Sequence, residues 1–129
     1  MSVVFKDASK AIAFYRDFWT ELINELGSKV DVSMLFIVKD PDFMMYIDAK
    51  GIKINEEIGN VQADVKFTLS VDTAHKFWLK DLSLPKALVT RQVTTRGSVP
   101  KVMRLLPLLK PAYARYREYC KKYNLPQKI

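Results

Sequence analysis

Apolar residues at Ala11, Phe14, Tyr15, Phe18, Leu22 and Leu26 fall three and four apart, the spacing of one face of a helix. The pattern predicts a helix over residues 8–26, capped by Asp7 or Ser9 and ended by Gly27, with Trp19 and Ile23 widening its apolar stripe. The period then drops to two. Val30, Val32, Met34, Phe36 and Val38 alternate with Asp31, Ser33, Leu35, Ile37 and Lys39, which predicts a strand whose second half is apolar on both faces. Asp40-Pro41-Asp42 is a turn, Phe43–Ala49 a second strand and Lys50-Gly51 another turn. Ile52–Ile58 is a weaker third strand, and the short connections imply an antiparallel meander.

Ala63–Val71 alternates most cleanly of all, with Val65, Phe67, Leu69 and Val71 on one face. Asp72 is placed to cap a short helix holding Ala74, Phe77 and Trp78. Leu82-Ser83-Leu84-Pro85 reads as a loop or a helical turn, and Ala87–Arg96, rich in Val and Thr, as a fifth strand broken by Gly97. Ser98 then caps a helix with Pro100 in its first turn and Val99, Val102, Met103, Leu106 and Leu109 on its apolar face; Pro107 kinks or shortens it. Pro111 opens a last helix with Tyr113, Tyr116, Cys120 and Tyr123 on one side and Lys110, Arg115, Arg117, Lys121 and Lys122 around the rest.

No repeat or flexible linker divides the 129 residues, so residues 1–129 are expected to form a single domain. The lone cysteine, the lack of a leader-like apolar run after Met1 and the lack of a terminal sorting motif at Gln127-Lys128-Ile129 together suggest a cytoplasmic protein. Charge is unevenly spread. Residues 1–85 carry 10 basic and 13 acidic side chains, whereas residues 86–129 carry 11 basic and one acidic, Glu118. The last third, at +10, is therefore either a solvated basic face or a surface for an anionic partner.

Candidate chemistry is sparse. His75, the one histidine, reads as a surface or capping residue of the short helix, and Cys120 as a buried structural thiol. Glu56-Glu57 would point to opposite faces of a strand, and Asp40 and Asp42 flank a proline. Neither pair has metal-site spacing, and there is no phosphate-binding glycine loop, so neither metal nor cofactor is expected. Nucleic acid is disfavoured because the fifth strand offers Arg91 and Arg96 without an aromatic beside them. The apolar inventory is fuller, with five methionines, Met44 and Met45 adjacent. Methionine suits adaptable apolar surfaces as well as ordinary core gaps.

Residues 63–106 resemble the sterol carrier protein type 2 family. The resemblance runs through Ala63-Asp64-Val65 leading into an alternating strand, the short helix Ala74–Leu79 and the loop Leu82-Ser83-Leu84-Pro85. It continues through Ala87-Leu88 to Gly97 and the helix that follows. It departs at Asp81 and Arg91, where the family usually has glycine. The resemblance implies an α+β fold: a five-stranded mixed, largely antiparallel sheet with helices on one face enclosing an apolar tunnel. It further implies that the tunnel takes a fatty acyl chain, acyl-CoA, sterol or isoprenoid, and the sparse candidate chemistry makes a non-catalytic binding protein the expectation. The expected lining is Phe36, Met45, Phe67, Phe77, Met103, Leu106, Leu109 and Tyr113, and Arg104, Lys110, Arg115 and Arg117 are expected to meet an anionic head group or membrane. Two alternatives stand beside this reading: an accessory protein whose groove receives a partner, and an acyl-thioester enzyme using His75 or Cys120.

Overall fold

A computed structural model describes residues 2–128; Met1 and Ile129 lie outside the described residues. The first helix, α1, spans Ala8–Leu26, and the Asp7 carboxylate caps it by accepting from the Lys10 amide at 3.0 Å. Strands β1 (Met34–Lys39), β2 (Phe43–Asp48) and β3 (Gly51–Ile54) form the antiparallel meander. The first strand starts later than its sequence pattern suggests, because Val30 and Val32 are buried without joining the ladder. The third is cut short by a 3₁₀ turn over Asn55–Glu57, so Glu56 and Glu57 are not strand residues. Glu57 instead accepts from the Ile54 amide and from Arg16.

After this turn the chain crosses the sheet and lays β4 (Val65–Ser70) parallel to β1. The strand β5 (Val93–Gly97) pairs antiparallel with β4 and completes the order β3-β2-β1-β4-β5. The register puts Phe36 beside both Met45 and Phe67, and Met34 beside both Ile47 and Val65. One face is thus largely apolar and buried, with Phe36 and Thr95 half-buried, whereas Met44, Lys66 and Thr94 on the other face are exposed. Such one-sided burial is usual for a largely antiparallel sheet covered by helices on a single side.

Helix α2 (Val71–Trp78) is capped by Ser70, whose Oγ accepts from the Thr73 amide. Asp72, expected as the cap, lies inside the helix and fastens the N-terminal segment. It accepts from Ser2 Oγ at 2.6 Å and from the Val3 amide at 3.0 Å. The larger departure follows. The first part of the expected fifth strand is helical: α3 covers Leu84–Val89, with Ser83 as N-cap and Pro85 in its first turn. The β-branched run misleads because only its second half, from Val93, finds a ladder on β4. Helix α4 (Val99–Leu105) follows; Ser98 holds its cap position but makes no side-chain cap bond. Pro107 sits in a 3₁₀ stretch, Leu106–Leu109, which leads into α5 (Lys110–Lys122).

Gly97 is fixed by close approach. At φ +105° a Cβ would stand 2.1 Å from the Asp64 carbonyl oxygen, which also receives the Ser98 amide at 2.9 Å. Three helix ends are less economical. Lys80, Arg91 and Asn124 all have left-handed backbone, at φ 67°, 59° and 55°. In each case the next amide reaches back to close the turn: Asp81 to Lys76, Gln92 to Ala87, and Leu125 to Cys120. Glycine is the residue that meets this requirement without steric cost. Of the two places where the resembled family usually has glycine, Arg91 has this left-handed backbone and Asp81 does not; the left-handed residue beside Asp81 is Lys80.

Candidate functional site

The helices do not close fully on the sheet. Between them lies a cavity of about 80 Å³, measured as the space open to the centre of a water-sized sphere. On that measure one water needs about 10–15 Å³, so the space has room for several. Its floor is the apolar sheet face: Met34, Phe36 and Val38 from β1, Met45 from β2, Phe67 and Leu69 from β4, and Val93 from β5. Tyr15 and Trp19 of α1 close one side, and Thr73, Ala74, Phe77 and Trp78 of α2 another. Leu82, Leu84 and Ala87 enter from the α3 region, and Val102, Leu105, Leu106 and Leu109 from α4 and the 3₁₀ stretch. Phe36 and Phe67 stack with centroids 4.9 Å apart, and Trp19 tilts against Phe36 at 6.0 Å. Among the described residues, Tyr15 and Thr73 are the only hydroxyl-bearing side chains in this lining, and both hydroxyls have protein partners.

A second, more polar space of about 200 Å³ on the same measure adjoins the first. Phe77, Leu82, Leu84 and Leu106 line both and form the partition between them. Lys80, Ser83, Pro85 and Tyr113 complete this vestibule, with the Lys80 ammonium 5.4 Å from the centre of the Tyr113 ring.

Six of the eight expected lining residues, namely Phe36, Met45, Phe67, Phe77, Leu106 and Leu109, face the cavity, and Tyr113 faces the vestibule. Met103 does not join them and is 39% exposed. Val102 and Leu105 take the inward positions of α4, and Met103 projects about 100° from Val102 and about 160° from Leu105 around the helix. Sequence reasoning missed Trp19 and Trp78, although both lay on recognised apolar stripes. It missed Leu84 and Ala87 because α3 was not read as a helix, so their spacing of three carried no signal.

The four expected head-group cations divide. Arg115 pairs with Glu21 at 3.4 Å and with Glu25, and those carboxylates raise its pKa further. Arg117 donates to the Leu79 carbonyl at 2.7 Å. Arg104 and Lys110 are exposed. Part of the +10 segment is thus neutralised by the acidic stripe Asp17, Glu21 and Glu25 on α1, with Lys122 reaching Asp17 at 3.8 Å.

His75 is buried, at 0% exposure, and corrects the expectation of a surface residue. Its Nε2 lies 2.6 Å from the Pro126 carbonyl and its Nδ1 2.7 Å from the Tyr116 hydroxyl, which is 2.9 Å from the Tyr15 hydroxyl. A carbonyl can only accept, so Nε2 carries the proton. Burial lowers the pKa of His75, so the ring is neutral and Nδ1 accepts. Tyr116 then donates to Nδ1 and accepts from Tyr15. Burial also pushes both tyrosine pKa values upward. Every proton in this chain has one place, and His75 has no free nitrogen. Cys120 is buried as expected, and burial pushes its thiol up to about 11. Among the described residues no cluster of three His, Cys, Asp or Glu side chains could hold a metal, and no helix is long and apolar enough to cross a membrane.

A mixed sheet with helices on one face around an apolar cavity is an α+β architecture. It has a close parallel among solved structures: the chain has the sterol carrier protein 2 fold. Sterol carrier protein 2 from Yarrowia lipolytica, without ligand, is 20% identical, with a TM-score of 0.62 over 88% of this chain and 98% of that one. Sterol carrier protein 2 from Aedes aegypti, in complex with the C16 fatty acid palmitate, is 14% identical, with a TM-score of 0.60 over 85% and 97%. The inverting sec-alkylsulfatase Pisa1 from Pseudomonas sp. is 16% identical, with a TM-score of 0.57 over 73% of this chain. The chain spans only 15% of that enzyme's length. No protein-family model and no curated protein matches the sequence.

Proposed function

We propose that residues 1–129 form one non-catalytic domain that binds a lipid-like molecule, such as a fatty acyl chain, acyl-CoA, sterol or isoprenoid, between sheet and helices. The observation that carries this reading is the apolar cavity itself, whose hydroxyls are already paired within the protein. A space lined almost wholly by carbon does not hold water well and gains from an apolar guest. Each buried CH₂ contributes about 0.8 kcal/mol, so a chain of several carbons gives useful affinity without a polar anchor. The shared fold with a palmitate-bound carrier supports the same reading. The two candidate catalytic groups, His75 and Cys120, are built into the framework, which supports binding over acyl-thioester chemistry. Arg104 and Lys110 are the proposed contacts with an anionic membrane while ligand is taken up in the cytoplasm. Solvent extraction of the purified protein followed by mass spectrometry tests the reading. Recovery of a stoichiometric lipid is expected. A protein that releases no lipid and takes up none from anionic vesicles would refute it.

A further inference from the structure

The vestibule is where the chain departs from an all-apolar site. The backbone of Lys80 occupies the left-handed position at the end of α2, where glycine would be unstrained. That position carries the ammonium over the Tyr113 ring and into the space beyond the Phe77, Leu82, Leu84 and Leu106 partition. The ring is the partner of Lys80; among the described residues no carboxylate forms an ion pair with it. The guanidinium of Arg117, held on the Leu79 carbonyl, adds a second positive charge one residue away. Asp81 is the adjacent acidic residue and is exposed. The Ser83 hydroxyl accepts from the Lys86 amide and keeps its own proton to donate.

We infer that the vestibule of Lys80, Ser83 and Tyr113 is an anion subsite that selects amphiphiles with a carboxylate or phosphate head, the apolar chain passing the partition into the cavity. This rests on the lipid-binding reading above. A cation and a hydroxyl donor next to an apolar hollow are complementary to an acid head on a hydrocarbon chain, and give an alcohol of the same length nothing equivalent.

The unusual backbone supplies a clean test. Lys80→Gly removes the charge but relieves the left-handed residue, so it should melt at or above the parent temperature and cannot lose binding by unfolding. Arg91→Gly relieves the same strain at the end of α3, outside the vestibule lining, and serves as control. Calorimetry would measure laurate and dodecanol at low salt. The parent should prefer laurate. Lys80→Gly should weaken laurate about three- to fivefold, the range of an exposed ion pair, and leave dodecanol unchanged. Lys80→Arg and Arg91→Gly should keep the preference. If both ligands bind and Lys80→Gly leaves the laurate preference intact, the subsite is refuted and the cavity reading survives. If the parent binds neither, the cavity reading falls and takes the subsite with it.

Discussion

Filling the cavity from within should stabilise the protein and block the ligand together. Ala87 sits on α3, is 2% exposed and lines the cavity. Ala87→Leu keeps a good helix former and adds three carbon groups directed at open space. Burying them is worth about 2 kcal/mol at the usual value per methylene. Ordering the leucine side chain costs about 0.5–1 kcal/mol of that. The net gain is about 1–1.5 kcal/mol. At about 4 °C per kcal/mol for a chain of this size, the melting temperature should rise about 4–6 °C. The assay is a thermal melt monitored by circular dichroism on delipidated protein, alongside laurate binding. The two readouts should move in opposite directions: higher Tm, weaker binding. A fully packed interior would respond differently, because overpacking costs about 1–3 kcal/mol and forces side chains off their rotamers. A lower melting temperature for Ala87→Leu would therefore refute the cavity.

Three further outcomes follow from the framework. Tyr116→Phe leaves His75 Nδ1 without its donor and Tyr15 without its acceptor, so urea denaturation should show a loss of about 2–4 kcal/mol, one unsatisfied buried group at each end. His75 has a folded pKa below its ordinary 6.5, so the unfolded chain binds the proton more readily. Stability is full above pH 6.5 and declines as pH falls from there toward the lowered value; a urea midpoint that is flat over this window in the parent would contradict it. Gly97→Ala sets a methyl against the Asp64 carbonyl at a backbone angle alanine avoids, and should cost more than about 3 kcal/mol by the same assay, whereas Gly51→Ala, with open space around it, should cost less.

Local pattern was enough for α1, β2 and β4, because each buries one face and its period shows it, whereas β1 starts later and β3 ends sooner than the alternation suggests. The region from Leu84 to Gln92 was not legible in this way. Val89 and Thr90 favour strand by composition, but Ser83 caps a helix there and Arg91 ends it in a conformation that composition does not advertise. The role of His75 was hidden for a different reason: its partners lie 41 and 51 residues away, and no local spacing encodes them. Charge was half legible. The excess of cations after Lys86 was plain, but Asp17, Glu21 and Glu25 form a stripe on α1 whose meaning appears only when α5 packs against it. The cavity lining followed the same rule. Strand residues such as Phe36, Met45 and Phe67 could be assigned by alternation, whereas the inward side of α4 depends on a rotation that puts Val102 and Leu105 inside and Met103 out.

Both tryptophans, Trp19 and Trp78, line the cavity, and they are the protein's only two. Titration of delipidated protein with cis-parinaric acid, exciting tryptophan and reading energy transfer to the probe, therefore reports from inside the site. Saturable transfer at one probe per chain, reversed by laurate and weakened by Ala87→Leu, is the expected result. Tryptophan emission that stays unchanged across micromolar probe, with no saturable transfer, would contradict it.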